Sequence, residues 1–299
     1  MGHTSVGLVG LVGLEGALPP RMLVWSALGS KVGSDEFVEI SVIAAQMAVT
    51  WDVEGNLASI AGVLADARPG EVVVFPEGAL SGYGADLTPL GELETSVLAR
   101  AVEAVGKVTR ERAVHVFCGS LIHEDGVWWN GALYFSPSGR RWTYRKINLA
   151  MNERGLVAAG SDLPTLRVRA GGLSFDVGVQ ICREIRFPEQ WQYLADTGAQ
   201  VFVYLTHAAN PGEPPGVWRS HLVSRAAENQ RWVIAANAAA AHQHCPSMVV
   251  SPRGEVVAEL DAGEVGVVRA TIVPDDAGSW YLGQRRRDVV VVHRRVPGR

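Results

Sequence analysis

Short apolar runs rich in valine, isoleucine and alanine recur along most of the chain, and they constrain its fold more than any other feature. The runs at 71–75 (EVVVF) and 200–206 (QVFVYLT) are typical of strands buried on both faces. Segments with apolar residues at helical spacing, 56–67 and 94–112, separate several of these runs. Turns such as PSGR at 137–140 indicate hairpins between others. We therefore predict one α/β domain with mixed sheets.

The remaining predicted elements follow the same two patterns. Further strands are predicted at 39–49, 113–122, 127–136, 140–146, 165–169, 173–181, 231–238, 247–251, 254–260 and 265–270. Further helices are predicted at 188–197 and 216–230. No internal repeat and no Pro/Ser-rich linker divides this region, so a single domain over 39–299 is expected, with a C-terminal tail from about residue 273.

The start of the segment 1–38, MGHTSVGLVGLVGLEGALPP (1–20), resembles a signal peptide only superficially. It lacks a basic start, and Glu15 interrupts its apolar part, so we expect a poorly ordered extension. No apolar stretch in the chain is long enough to cross a bilayer, and we expect no membrane partner.

Charge and cysteine content narrow the class of protein. The formal net charge is −4, which argues against nucleic acid as a partner. The three cysteines, Cys118, Cys182 and Cys245, are too few and odd in number for a disulfide framework. A reducing, cytoplasmic location is therefore expected.

Three reactive side chains each stand at the carboxyl end of a predicted strand. They are Glu77, Lys146 and Cys182. A lone cysteine after a strand is more often an inert core residue, and a lone glutamate or lysine there usually faces water. Together, however, a thiol nucleophile, a carboxylate base and an ammonium for the oxyanion suffice for acyl transfer without histidine or metal.

Three segments around these residues resemble motifs of the nitrilase superfamily, the carbon–nitrogen hydrolases. They are VVVFPEGALSGYG (72–84), YRKINLAMNERG (144–155) and GVQICREIRFPE (178–189). The segment RAAENQRWVIAAN (225–237) is similar to a helix-to-strand segment of the family, and the resemblance covers about residues 39–272. Three motifs in the family's order on the expected elements make a specific signal.

The resemblance implies a role for each matching residue. Glu77 would be the general base, Lys146 the group that stabilises the oxyanion, and Cys182 the nucleophile. Glu153 would support the lysine, and the backbone N–H of Arg183 would be a second oxyanion donor. Where many relatives have Pro-Gly after the lysine motif, this chain has Ala-Gly at 159–160, which leaves the loop and the pocket shape open.

The resemblance also implies a four-layer α-β-β-α sandwich with two mixed β-sheets, no cofactor, and a homodimer or higher homo-oligomer. The favoured reaction is hydrolysis of a small linear amide through a thioester on Cys182. Arg183-Glu184 after the cysteine favours an amidase, because the nitrilase branch more often has Trp-Glu there. Nitrile hydrolysis and N-carbamoyl amide hydrolysis remain alternatives, and a non-catalytic binding or assembly role is a further one.

Some candidate pocket residues lie beside the motifs. Tyr83, His207 and Trp218 could line the substrate pocket, although each is more often a packing residue in such positions. The substrate itself is set by loops that a sequence does not position.

One other segment contains residue types that are common in metal sites. AHQHCP at 241–246 contains His242, His244 and Cys245, three residues of types that zinc accepts as ligands. A structural zinc site needs a fourth ligand, and no second histidine or cysteine cluster follows nearby in sequence. We therefore predict that this protein binds no metal.

Overall fold

The computed structural model describes residues 37–208 and 212–289, and two six-stranded sheets run through this part of the chain. The strands of the first sheet are β1 (Ile40–Gln46), β2 (Val72–Val74), β3 (His115–Glu124), β4 (Val127–Phe135), β5 (Arg141–Arg145) and β12 (Gly266–Ile272). Those of the second are β6 (Thr165–Ala170), β7 (Leu173–Ile181), β8 (Val201–Thr206), β9 (Trp232–Asn237), β10 (Met248–Val250) and β11 (Val256–Glu259). Each strand lies within or overlaps a segment that the sequence predicted as a strand.

Both sheets have three parallel strands at the centre. The first sheet has the order β12-β1-β2-β3-β4-β5, in which β1, β2 and β3 are parallel. The second has the order β11-β10-β9-β8-β7-β6, in which β7, β8 and β9 are parallel. All flanking strands pair antiparallel. The predicted mixed sheets are confirmed.

Helices make the crossovers that parallel neighbours require. They are α1 (Val53–Ala65), α2 (Thr95–Arg112), α3 (Pro188–Asp196) and α4 (Val217–Asn229), followed near the end by the short α5 (Trp280–Gly283). The sequence placed the start of α1 at residue 56, but the helix begins at Val53. Asp52 explains the difference, because its side chain caps the helix by accepting a hydrogen bond from the Glu54 N–H at 3.1 Å.

Alternate residues of the central strands face different layers. Val42 and Ala44 of β1 belong to the core between the two sheets, whereas Ile43 and Ala45 belong to the core beneath α1 and α2. On the other side, α3 packs against β7 and α4 against β9. The layers are therefore α-β-β-α, as expected.

Parallel strands of both sheets end at one common edge. Met47, just after β1, forms an isolated parallel bridge with Ala238, just after β9. The Ala239 N–H also donates to the Met47 carbonyl at 2.7 Å. Glu77 follows β2 and Cys182 follows β7, so each emerges at the carboxyl end of a parallel strand, where α/β proteins commonly place their sites.

The segment after β12 packs against the domain. After β12, the Val273 carbonyl accepts a hydrogen bond from Trp232 Nε1 at 2.8 Å, and Leu282 of α5 is buried. The predicted tail therefore packs against the domain as far as α5, and residues 290–299 lie outside the described part. Nearly all of the predicted N-terminal extension, up to residue 36, also lies outside it. Among the described helices, none has the length and apolar character needed to cross a bilayer.

Candidate active site

A buried lysine lies between two buried carboxylates at the common edge. Lys146 Nζ is 2.8 Å from Glu77 Oε1 and 3.0 Å from Glu153 Oε1. All three side chains are fully buried. A buried charge is stable only when it is paired and hydrogen-bonded, so the three groups depend on one another. The structure thus brings together three of the residues that the motifs singled out.

Asn130 joins the two carboxylates through its side-chain amide. It lies within β4, and its side-chain N–H₂ donates to Glu77 Oε1 at 2.7 Å and to Glu153 Oε1 at 2.5 Å. Its backbone carbonyl accepts from the Lys146 N–H at 2.8 Å. Asn130 was not predicted from the sequence. The available signal was a polar residue in the middle of an otherwise apolar strand.

Backbone contacts hold Glu77 in place. Its second carboxylate oxygen, Oε2, accepts from the His207 N–H at 3.0 Å, which connects it to the end of β8. On β3, Gly119 lets the glutamate segment come close, because a Cβ there would lie 2.2 Å from the Pro76 carbonyl oxygen and 2.6 Å from Glu77 Cα.

The loop after Lys146 positions Glu153. Glu153 closes a short 3-10 turn (Met151–Glu153), and its Oε2 accepts from the Ala150 N–H. Further on, the Gly160 N–H donates to the Lys146 carbonyl at 2.8 Å, and a Cβ at this position would lie 2.2 Å from the Arg145 carbonyl oxygen. The chain has Ala-Gly at 159–160 where many relatives have Pro-Gly, and the glycine that this close contact with the Arg145 carbonyl requires is therefore present.

The two carboxylates differ in proton affinity. Burial raises the pKa of Glu77, Lys146 opposes this, and the charge of Glu153 adds to it. Burial works in the same direction on Glu153, but Lys146, Asn130 and the Ala150 N–H outweigh it and lower its pKa. Burial works against the charged lysine, yet Glu77 and its other neighbours hold the pKa of Lys146 well above its usual range. Glu77 is therefore the member of this set that is suited to exchange a proton.

Cys182 lies beside this set in an unusual backbone conformation. It follows β7 with φ of 45°, in the left-handed region that few non-glycine residues occupy. Burial, followed by the charge of Glu77, raises the pKa of the Cys182 thiol to about 12, while Lys146 and the Thr206 hydroxyl act in the opposite direction. The resting group is thus a neutral thiol, which needs a base before it can act as a nucleophile.

Glu184 ties the cysteine turn to the lysine segment. Its Oε2 accepts from the Ile181 N–H at 2.8 Å, and its Oε1 accepts from the Tyr144 hydroxyl and the Ile147 N–H, each at 2.8 Å. The side chain is fully buried, and burial raises its pKa to about 7. Its role was not predicted from the sequence, because its partners lie on segments whose proximity only the fold reveals.

A cavity of about 380 Å³ opens onto Cys182. The side chains of Tyr83, His207 and Trp218 line it, as does Arg183. The Tyr83 ring centre is 5.7 Å from Lys146 Nζ, so this ring lines the cavity and also lies near the buried lysine. Burial lowers the pKa of His207 to about 4, which leaves its ring neutral at pH 7.

In the segment 241–246, the histidine and cysteine side chains do not come together as metal ligands. His242 is exposed in a turn, with its ring 6.1 Å from that of His207. Cys245 is buried, and its thiol donates to the Pro246 carbonyl at 3.5 Å. Across residues 37–208 and 212–289, no three His, Cys, Asp or Glu side chains are grouped in a way that could hold a metal ion.

Comparison with known proteins gives consistent matches. The family model described as carbon–nitrogen hydrolase matches residues 41–282. An (R)-stereoselective amidase of Pseudomonas sp. is 32% identical over 203 residues, which are 65% of this chain and 70% of that protein. An omega-amidase of Xenopus laevis is 30% identical over 239 residues, 75% of this chain and 83% of its own length.

Solved structures share the fold. An amidase of Nesterenkonia AN1 from the nitrilase superfamily superposes with a TM-score of 0.70 at 20% identity, over 85% of this chain and 95% of that one. The NitFhit protein of C. elegans gives a TM-score of 0.74 at 24% identity, over 85% of this chain and 66% of the other.

Proposed function

The chain belongs to the carbon–nitrogen hydrolase family, and from this premise we propose that it hydrolyses small linear amides through a thioester on Cys182. The observation that carries the proposal is the buried Lys146, held between Glu77 and Glu153 beside the cavity that Cys182 lines. Such a set supplies a base, an electrostatic stabiliser and a nucleophile at one place. No metal or organic cofactor has a part in the proposed reaction.

The first half of the reaction forms the thioester. Glu77 takes the proton of the Cys182 thiol while the sulfur bonds to the amide carbonyl carbon. The carbonyl oxygen becomes an anion, which the Lys146 ammonium and the Arg183 backbone N–H stabilise. The carbon–nitrogen bond then breaks, Glu77 passes its proton to the nitrogen, and ammonia or an amine leaves.

The second half releases the acid. Glu77 takes a proton from a water molecule, whose oxygen attacks the thioester carbon. The carbon–sulfur bond breaks, and the proton on Glu77 returns to the sulfur. One amide and one water thus give one carboxylic acid and one ammonia, and the enzyme is restored.

The electrostatics support this division of roles. The raised pKa of Glu77 suits a group that must both accept and return a proton. Lys146, with its pKa well above the usual range, stays an ammonium throughout. Glu153, with a lowered pKa, stays a carboxylate and holds the lysine.

Ammonia release from a panel of small amides, nitriles and N-carbamoyl amino acids tests the proposal. Amides should release ammonia fastest. Faster release from nitriles or carbamoyl compounds would favour one of those activities instead, and no release from any compound would favour a non-catalytic member of the fold. Intact-mass measurement after mixing with an amide should detect an acyl adduct in the wild type, and Cys182→Ala is the control that cannot carry it.

The same proposal includes the quaternary state. Because the resemblance implies pairing through a helical face, we propose that the enzyme is a homodimer or a larger homo-oligomer. Sedimentation equilibrium of the purified chain measures this directly.

A further inference from the structure

A threonine ends strand β8 beside the nucleophile. In the parallel pair of β7 and β8, Ile181 is aligned with Leu205, so the next residues along the two strands, Cys182 and Thr206, come abreast of each other. The Thr206 side chain is fully buried. Its hydroxyl is therefore beyond the reach of bulk water and can act only on groups inside the protein.

Residues on either side of Thr206 contact the candidate site. Two residues earlier on β8, the Tyr204 hydroxyl donates to the Cys182 carbonyl at 2.6 Å, and alternate residues of a strand point to the same face. One residue later, the His207 N–H donates to Glu77 Oε2 at 3.0 Å. Thr206 is thus held between a contact to the nucleophile and a contact to the proposed base.

The Thr206 hydroxyl forms no hydrogen bond with any residue of 37–208 or 212–289, the part of the chain that the structure describes. It nevertheless lies near the sulfur. Burial and the Glu77 charge raise the pKa of the Cys182 thiol, and the Thr206 hydroxyl works in the opposite direction. Burying a hydroxyl without a partner costs free energy, so its presence beside the nucleophile requires an explanation.

We propose that the Thr206 hydroxyl donates a hydrogen bond to the Cys182 sulfur when the sulfur becomes negative, which makes Thr206 a further catalytic residue. A neutral thiol is a weak acceptor, whereas hydrogen bonds to a charged acceptor are about twice as strong as those between neutral groups. The partner of this hydroxyl would thus be the charge that forms during the reaction. This inference rests on the proposed thioester reaction and adds a residue to it.

The sulfur carries negative charge twice in the proposed reaction. It does so first as Glu77 removes the thiol proton, before the bond to the carbonyl carbon is complete, and again as the carbon–sulfur bond of the thioester breaks. In both steps the Thr206 hydroxyl keeps its own proton, so the atoms balance as described above. A donor that is already in place beside the sulfur stabilises this charge without a rearrangement of the site.

Alkylation by iodoacetamide tests the inference without any amide substrate. Because the thiolate is the nucleophile, the alkylation rate of Cys182 below its pKa follows the fraction of thiolate. Thr206→Val removes the hydroxyl and keeps nearly the same shape. It should lower the rate by about tenfold or more at neutral and at mildly alkaline pH, the effect of one charge-assisted hydrogen bond. Peptide mapping by mass spectrometry assigns the alkylation to Cys182.

A conservative variant shows whether the hydroxyl is the cause. Thr206→Ser keeps the hydroxyl and should retain most of the wild-type rate. A rate that falls equally in Thr206→Ser and Thr206→Val would overturn the inference, as would an unchanged rate in Thr206→Val. Thr206→Ala gives the same comparison should the valine protein not fold.

Stability separates this role from a structural one. If the hydroxyl acts only on the charged sulfur, its removal should not weaken the resting protein, so the melting temperature of Thr206→Val should equal or exceed that of the wild type. Thr109→Val is the matched control, because Thr109 is also fully buried and its hydroxyl donates to the Val105 carbonyl at 2.8 Å within α2. That protein should melt at a lower temperature and alkylate at the wild-type rate.

Turnover distinguishes this inference from the proposed function. In Thr206→Val, kcat for a small amide should fall by about tenfold or more while KM stays near the wild-type value, because the lost bond is to the sulfur and not to the substrate. If no amide is hydrolysed but alkylation depends on the Thr206 hydroxyl, the proposed function is wrong and the hydrogen bond to the sulfur stands. If amides are hydrolysed but Thr206→Val alkylates and turns over like the wild type, the function stands and the role of Thr206 is wrong.

Discussion

Cys182 combines a strained backbone, a neutral thiol and a position at a cavity wall. We predict that Cys182→Ala abolishes ammonia release and leaves the melting temperature close to that of the wild type, because one small side chain is lost at the edge of a cavity. Cys182→Ser should be nearly inactive as well, because Glu77 is too weak a base for a hydroxyl group.

Cys118→Ala is the matched control for this prediction. Cys118 is fully buried in the core beneath α1 and α2, away from the cavity. Its loss should lower the free energy of unfolding by about 1 kcal/mol while turnover continues. Wild-type ammonia release from purified Cys182→Ala would contradict the whole mechanism.

Glu184 gives a prediction about pH. Its pKa rises from 4.5 to about 7 in the folded protein, so the folded state binds a proton more tightly than the unfolded state. Protonated Glu184 thus contributes roughly 3 kcal/mol to the free energy of unfolding. This contribution is fully present below about pH 4.5 and is lost as the pH rises through 7. Glu184→Gln should remove this slope from a plot of unfolding free energy against pH.

Activity should respond to the same substitution. In the wild type, N–H groups of Ile181 and Ile147 donate to the two carboxylate oxygens of Glu184. A glutamine has only one accepting oxygen, so Glu184→Gln should weaken the link between the cysteine turn and the lysine segment. We expect kcat to fall more than KM rises. Glu189→Gln, an exposed position at the start of α3, is the control and should change neither the pH slope nor kcat. An unaltered pH slope in Glu184→Gln would show that Glu184 titrates normally.

The sequence predicted those residues of the site that the neighbouring sequence marks, and it missed those whose partners are distant in the chain. Glu77 and Cys182 each follow an apolar run, and Lys146 ends the predicted strand 140–146, so the sequence itself marks them. Asn130 and Glu184 act through groups on other strands, and their contacts exist only after β4, β5 and β7 have been brought together. Local pattern contains no information about such pairings.

At the scale of elements, β3 depends on a glycine where it passes the glutamate segment. The Gly119 N–H donates to the Pro76 carbonyl at 3.1 Å, and the Leu80 N–H donates to the Gly119 carbonyl at 3.1 Å. We predict that Gly119→Ala forces this segment away, because its Cβ would lie 2.6 Å from Glu77 Cα. The free energy of unfolding should fall by about 1–3 kcal/mol, and kcat should fall by about a hundredfold because Glu77 is displaced.

Gly62→Ala is the control for this substitution. Gly62 is exposed on α1, and a Cβ there would meet no atom within 4 Å. Chemical denaturation should show a stability gain of about 1 kcal/mol, from the better helix propensity of alanine, with unchanged kcat. A Gly119→Ala protein with wild-type kcat would mean that β3 does not position Glu77.

Element positions were predictable, whereas their ends and partners were less so. The apolar runs located the strands because both sheets are covered by helices on one face and by each other on the other. The start of α1 was misplaced because the cap at Asp52 precedes the apolar pattern. The pairing of β1 with β12, which aligns Ile40 with Ile272, joins distant parts of the chain and has no local signature.

At the scale of the whole molecule, the two sheets repeat one design. Each has three parallel strands with an antiparallel strand on one side and two on the other. In each, two helices make the crossovers, α1 and α2 in the first and α3 and α4 in the second. No internal repeat is visible in the sequence, because the common features are backbone direction and burial, which many different side chains satisfy. The shared edge of the two halves is where the candidate site lies.

The charges at that shared edge lead to a prediction about metal dependence. Zinc at a catalytic site needs three protein ligands and an open position. Cys182 lies beside Lys146, a fixed cation that would repel a metal ion. His242 and Cys245 do not supply an alternative, since one is exposed in a turn and the other is buried with its thiol turned to a carbonyl.

We therefore expect ammonia release to be unchanged after dialysis against EDTA, and elemental analysis of the purified protein to show no stoichiometric zinc. The proposed chemistry explains the expectation, because in it the Lys146 ammonium would stabilise the oxyanion, which is the role that a Lewis acid has in metal-dependent hydrolases. His244→Ala should leave both results as they are in the wild type. One zinc per chain that disappears in His244→Ala would show that the segment 241–246 binds metal after all.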